Sequence, residues 1–114
     1  MINVLVERER VESLGREPER VPVLRSGSER QHVYRCPVCK TAVWSTYTRE
    51  DVLFVRAGTL DDPSAVEPDV HIFTRSKVPW LTLPESTPAF ATYYDTGKLW
   101  PAESLERLEA LGSG

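Results

Sequence analysis

The sequence has 114 residues, 40% hydrophobic and 27% charged, the balance of a single globular domain covering residues 1–114. Fourteen Lys and Arg against seventeen Asp and Glu leave a net charge of −3, so no basic excess exists to neutralise a nucleic acid backbone. No apolar run approaches the ~20 residues of a membrane helix, and no charged-then-apolar leader opens the chain, so a cytoplasmic protein with no membrane partner is expected.

Ile2-Asn3-Val4-Leu5-Val6-Glu7 alternates, with Ile2, Val4 and Val6 on one face, and reads as a strand. Arg8 to Glu19 is dense in charge and reads as a solvated outer face, with Val11-Glu12-Ser13-Leu14 as a short strand within it. Val21-Pro22-Val23-Leu24 reads as an edge strand closed by a turn at Ser26-Gly27-Ser28. Gln31 to Arg35 runs as a strand into Cys36-Pro37-Val38-Cys39, and Thr41 to Thr48 returns as another, which together make a knuckle hairpin. Asp51 to Ala57 follows as a buried strand.

Asp61-Asp62-Pro63-Ser64 has the form of a turn or helix start, with proline at the first helical position. Pro68 to Thr74 is expected to give one more strand. The three prolines between Pro79 and Pro88 predict irregular chain. From Pro101 to Leu111, Leu105, Leu108 and Leu111 recur at helical spacing, with acids in the first turn and Gly112 after the last. The fold class is therefore mainly β with a short C-terminal helix.

Cys36 and Cys39 are the only cysteines. In a reducing compartment, two thiols three positions apart read as a metal or redox pair sooner than as a disulfide. Each thiolate can bond zinc at ~2.3 Å, but zinc takes four ligands, so the pair is half of a structural site. His32 lies ~13 Å from Cys36 along an extended strand and cannot share an ion with it without a bulge. His71 would have to arrive through tertiary folding. A redox role needs a helix N-terminus behind the first thiol, and the strand-like Thr41 to Thr48 stands there instead. Two ordinary cysteines at a turn remain the bland alternative.

His71, Arg75, Lys77 and Trp80 place a histidine, two cations and an aromatic within ten residues, a set that can contact an anionic small molecule. The competing reading is a strand with a satisfied histidine followed by a surface loop. Asp61, Asp62, Glu67 and Asp69 read as solvated loop acids, and Trp44 and Trp100 as packing residues. No Gly-rich phosphate loop and no Gly-x-Ser-x-Gly elbow is present.

Four blocks follow one another in a set order. They are Cys36-Pro37-Val38-Cys39-Lys40-Thr41-Ala42-Val43-Trp44-Ser45, then Ala57-Gly58-Thr59-Leu60-Asp61-Asp62-Pro63, then His71-Ile72-Phe73-Thr74-Arg75-Ser76-Lys77-Val78-Pro79-Trp80. The last is Tyr93-Tyr94-Asp95 with Trp100-Pro101-Ala102-Glu103-Ser104-Leu105. This series resembles the glutathione-dependent formaldehyde-activating enzyme family, which also includes centromere protein V-like proteins. The resemblance implies a β-tent of antiparallel sheets knit by zinc. It also implies carbon–sulfur lyase chemistry, in which glutathione or a related thiol adds to formaldehyde to give S-hydroxymethylglutathione.

In that family a structural zinc takes two cysteines from an N-terminal C-x-C-G element and two from a later C-x-x-C, which Cys36 and Cys39 match. A Cys-His-Cys-x-x-Cys element holds the catalytic zinc. Neither of the other two elements occurs here, and Lys40 stands where the family has glycine. The resemblance thus implies a chain N-terminally truncated relative to the family, with a structural zinc half-site, unknown catalytic residues and no evident activity. The alternative is a non-catalytic binding or assembly module whose knuckle is completed by dimerisation. Strand edges left open by the missing segment favour a homodimer.

Overall fold

Valine-rich segments of five residues, too short and too β-branched for helices, pair into one sheet. In the computed structural model, which describes residues 1–24 and 30–112, these are β1 (Asn3–Glu7), β2 (Glu19–Val23), β3 (Gln31–Arg35), β4 (Ala42–Thr46) and β5 (Val52–Arg56). All neighbours are antiparallel and the order across the sheet is β1-β5-β4-β3-β2. The fold class is mainly β with a C-terminal helix, as the sequence indicates. The turn expected at Ser26-Gly27-Ser28 lies outside the described residues. Among the described residues no helix is long and apolar enough to cross a membrane.

By residue contacts the chain forms two units, Met1–Val66 and Glu67–Gly114. In the first, β2 to β5 form a meander and β1 adds beside β5, so β1 and β2 occupy opposite edges. The chain between them must therefore travel four strand spacings, ~19 Å, across the sheet. This explains one difference from the sequence reading. Val11-Glu12-Ser13-Leu14 alternates like a strand but carries no strand pairing, because it belongs to the crossing segment, which opens with a 3-10 turn at Arg8–Arg10. Pro22 sits in edge strand β2, where its missing N–H costs no interior ladder bond.

The register sorts the side chains by face. Val4, Val6, Leu53, Val55, Trp44, Thr46, Tyr34, His32 and Arg20 share one face; Asn3, Arg56, Ser45, Arg35 and Glu19 share the other. Val52, on the Asn3 face, and Ala57, just past β5, are buried, and on the first face Leu53, 2% exposed, and Tyr34 make the rest of the apolar core. On the opposite face Arg56 donates to Asn3 Oδ1 at 2.9 Å and to Ser45 Oγ at 2.8 Å. One guanidinium thereby links β5 to β1 and β4 and gives the fully buried Ser45 hydroxyl a partner. Asp62 caps the 3-10 turn Pro63–Ala65 by accepting from Ser64 N–H, the helix start its sequence predicts.

The second unit contains short helices and irregular chain. Pro68 to Thr74 is not a strand: His71 makes one isolated bridge to Ala89, and Phe73 adopts the left-handed conformation at φ 53 before a 3-10 turn, Thr74–Ser76. Extension stops at Phe73, and the conformation is held by Phe73 N–H to Thr92 O at 2.8 Å and Thr74 N–H to Phe90 O at 3.1 Å. Residues Pro79 to Pro88 hold neither helix nor strand, as three prolines dictate. Two helices follow, α1 (Thr96–Leu99), which the sequence reading did not anticipate, and α2 (Ala102–Gly112). Trp100 donates from Nε1 to the Tyr94 hydroxyl at 3.0 Å, and Tyr94 stacks on Tyr93 at 4.3 Å between centroids. Trp100 is thus a packing residue.

Candidate functional site

The cysteines lie on the connection between β3 and β4. Its backbone is closed by Lys40 N–H to Cys36 O and Cys36 N–H to Thr41 O, both 2.9 Å. Pro37, Val38 and Cys39 form the turn, and Lys40 completes it at φ 66. That backbone region is the one glycine enters without penalty, so Lys40 holds the turn in spite of its Cβ. Its ammonium reaches Glu19 Oε2 at 2.9 Å, where Arg35 Nε also donates at 3.0 Å. The two cations, Arg35 first and Lys40 second, hold the Glu19 carboxyl down at about 2.

Both cysteines are free; Cys36 is half-buried and Cys39 exposed. Cys39 Sγ lies 3.3 Å from Thr41 Oγ1. Hydrogen bonds from the Thr41 hydroxyl first, then the Thr41 backbone and the Cys36 side chain, lower the Cys39 thiol to about 7. At neutral pH a large part of it is therefore thiolate, the form that bonds metals and attacks electrophiles.

The donor set decides what this turn can hold. Two adjacent thiols, one of them easily ionised, suit the pair a zinc knuckle contributes. Among the described residues, however, no group of three Cys, His, Asp or Glu side chains is placed to hold a metal ion. His32 sits along β3 with Nδ1 3.7 Å from Glu50 Oε1 and, among the described residues, no hydrogen-bond partner. The residues present fit half a structural site and do not by themselves complete one.

The second predicted group lies in the second unit. His71 contributes its backbone, donating to Pro88 O and accepting from Phe90 N–H, both at 2.9 Å. Arg75 lies over the Phe73 ring at 5.9 Å, and Lys77 Nζ donates to Val78 O and Leu81 O at 3.2 and 2.6 Å. Trp80 is 81% exposed. Arg75 and Lys77 thus make contacts within their own loop.

Sequence reasoning missed two features of the first unit. The Glu19–Arg35–Lys40 clamp behind the knuckle depends on the pairing of Glu19 with Arg35 across β2 and β3, which no local pattern announces. The second is a pocket of about 200 Å³ between the crossing segment and the sheet, with Arg8 and Glu17 from the former and Tyr34, Trp44 and Leu53 from the latter. Only the hydrophobic alternation of the strands could have hinted that Tyr34, Trp44 and Leu53 share a face.

Comparison with known proteins adds one match. The model of the family described as glutathione-dependent formaldehyde-activating enzyme matches residues 1–76, which include all five strands and the knuckle. No curated protein matches, and no solved structure does.

Proposed function

Because the chain belongs to the glutathione-dependent formaldehyde-activating enzyme family, we propose that it is a glutathione-binding member in which these 114 residues do not catalyse the lyase reaction. The observation that carries this reading is the family match across the whole sheet and the knuckle. Against turnover stands the count of ligands: the chain has two cysteines, and the resemblance matches them to the family's structural pair. A zinc that polarises a carbonyl or activates a thiol needs three protein ligands and an open position. No catalytic step is assigned to Cys36 and Cys39.

The test is S-hydroxymethylglutathione formation from glutathione and formaldehyde, followed by NMR with and without added zinc, beside direct titration of glutathione. Bound glutathione with a rate equal to the spontaneous one is expected. Turnover above that rate refutes the silent reading, and absence of glutathione binding refutes the substrate class.

The exposure of the knuckle favours a second reading, a binding or assembly module. Cys39 faces solvent and the pair leaves two zinc positions unfilled, which the same pair from a second copy would fill across a two-fold axis. A homodimer by light scattering carrying half a zinc per chain is the expected result; a metal-free monomer removes this reading. Either reading places the chain in the cytoplasm, where a reducing environment would keep Cys36 and Cys39 as thiols.

A further inference from the structure

The sheet ends at two edges, and the two are built differently. At one, β2 reads Glu19-Arg20-Val21-Pro22-Val23, with two charges and a proline that has no N–H to offer. At the other, β1 reads Asn3-Val4-Leu5-Val6-Glu7, with no proline and with charge only at its last residue. Charge and proline are devices that keep an edge from pairing with another chain, and β1 has neither between Asn3 and Val6.

The backbone of β1 is set to pair on its outer side. The bonds that flank its ladder to β5 are Ala57 N–H to Ile2 O and Arg8 N–H to Asp51 O, both 2.9 Å, and they fix the parity. Val4 and Val6 therefore turn their N–H and C=O toward β5, while Asn3 and Leu5 turn theirs outward. Among the described residues no hydrogen bond reaches the outward backbone groups of Asn3 and Leu5.

From this we propose that β1 pairs antiparallel with β1 of a second copy, about a two-fold axis at Leu5, joining the two sheets edge to edge. What commits the seam to a second copy is its self-complementarity. This axis is the one that pairs the strand over its full length, Asn3 to Glu7. It sets Leu5 against Leu5 on one face and Val4 against Val6 on the other, apolar against apolar. Glu7, the strand's only charge, faces Asn3 and not its own copy, so no like charges meet. The seam is short, and an interface below ~1,200 Å² is a weak one, so this dimer dissociates on dilution. It uses neither the knuckle nor the function proposed above.

Amide hydrogen exchange read by NMR on the full chain, with a chelator present, tests it. The amides of Val4 and Val6 should be protected at every concentration. Those of Asn3 and Leu5 should become protected only as concentration rises, in step with the mass by light scattering. Leu5→Cys, in a Cys36→Ser and Cys39→Ser background, should form a disulfide-linked dimer. Residues facing across such a pair lie ~5.5 Å apart between Cα atoms, within the span of a disulfide. Val23→Cys on β2 in the same background should not cross-link. Leu5→Lys sets like charges opposite one another and should leave the chain monomeric; if that variant unfolds, the exchange pattern of the parent chain still decides. A chain that is monomeric at every concentration overturns the proposal. So does a dimer that the chelator removes, which belongs to the knuckle, or one in which the Asn3 and Leu5 amides stay unprotected. Cross-linking through Val23→Cys as readily as through Leu5→Cys overturns it as well.

Discussion

Lys40 offers a quantitative test of how the knuckle is built. At φ 66 its Cβ crowds the following carbonyl, at a cost of about 1–2 kcal/mol for an L-residue. Glycine removes the crowding, but its freedom in the unfolded chain takes back about 0.4–1 kcal/mol. Lys40→Gly should therefore be more stable than Lys40→Ala by about 0.5–1 kcal/mol. Alanine is the proper reference, since both variants lose the ammonium contact with Glu19 and differ only in the Cβ. Thermal unfolding followed by tryptophan fluorescence reads the difference as a Tm higher by roughly 2–8 °C for the glycine variant. If Lys40→Ala melts at or above the temperature of Lys40→Gly, the left-handed turn is not imposed on this residue and the reasoning fails.

Three further outcomes are expected. Leu53→Ala should cost about 2–5 kcal/mol in urea unfolding, since Leu53 is almost wholly buried, while Leu14→Ala, at 94% exposure, should stay within about 0.5 kcal/mol of the parent; equal effects would mean the crossing segment packs otherwise. Glu19 titrates at about 2 in the folded chain against 4.5 when free, so its contribution is present above 4.5 and lost as pH falls toward 2; Glu19→Gln should flatten stability across that window, and an unchanged slope would contradict the clamp. In chelator-treated protein, alkylation of Cys39 by iodoacetamide should rise through pH about 7, and Thr41→Val should move that midpoint upward; an unmoved midpoint would show that the Thr41 hydroxyl does not hold the thiolate.

The ladder of five short strands was legible because Val4, Val6, Val33, Val43 and Val55 sit in alternating, β-branched segments bounded by turns, and alternation is a local property. Pro22 marked its own strand as an edge, and the leucines at 105, 108 and 111 marked α2. Val11 to Leu14 carries the same alternation without pairing, and Pro68 to Thr74 fails at Phe73; in both, the deciding fact is where the rest of the chain goes. The family was legible in ordered blocks of residues, of which those within 1–76 fall inside the family match.

By itself, then, the sequence determined the strand-forming segments, the C-x-x-C turn and the family, since each is written in neighbouring residues. Tertiary structure alone decided which strands meet. By placing β1 and β2 at opposite edges it sent residues 8 to 18 across the sheet, bringing Arg8 and Glu17 over Tyr34, Trp44 and Leu53. It also set Glu19 beside Arg35 and Lys40 behind the knuckle. Such juxtapositions depend on register and strand order, which are settled by the summed burial of a whole face and not by any one segment.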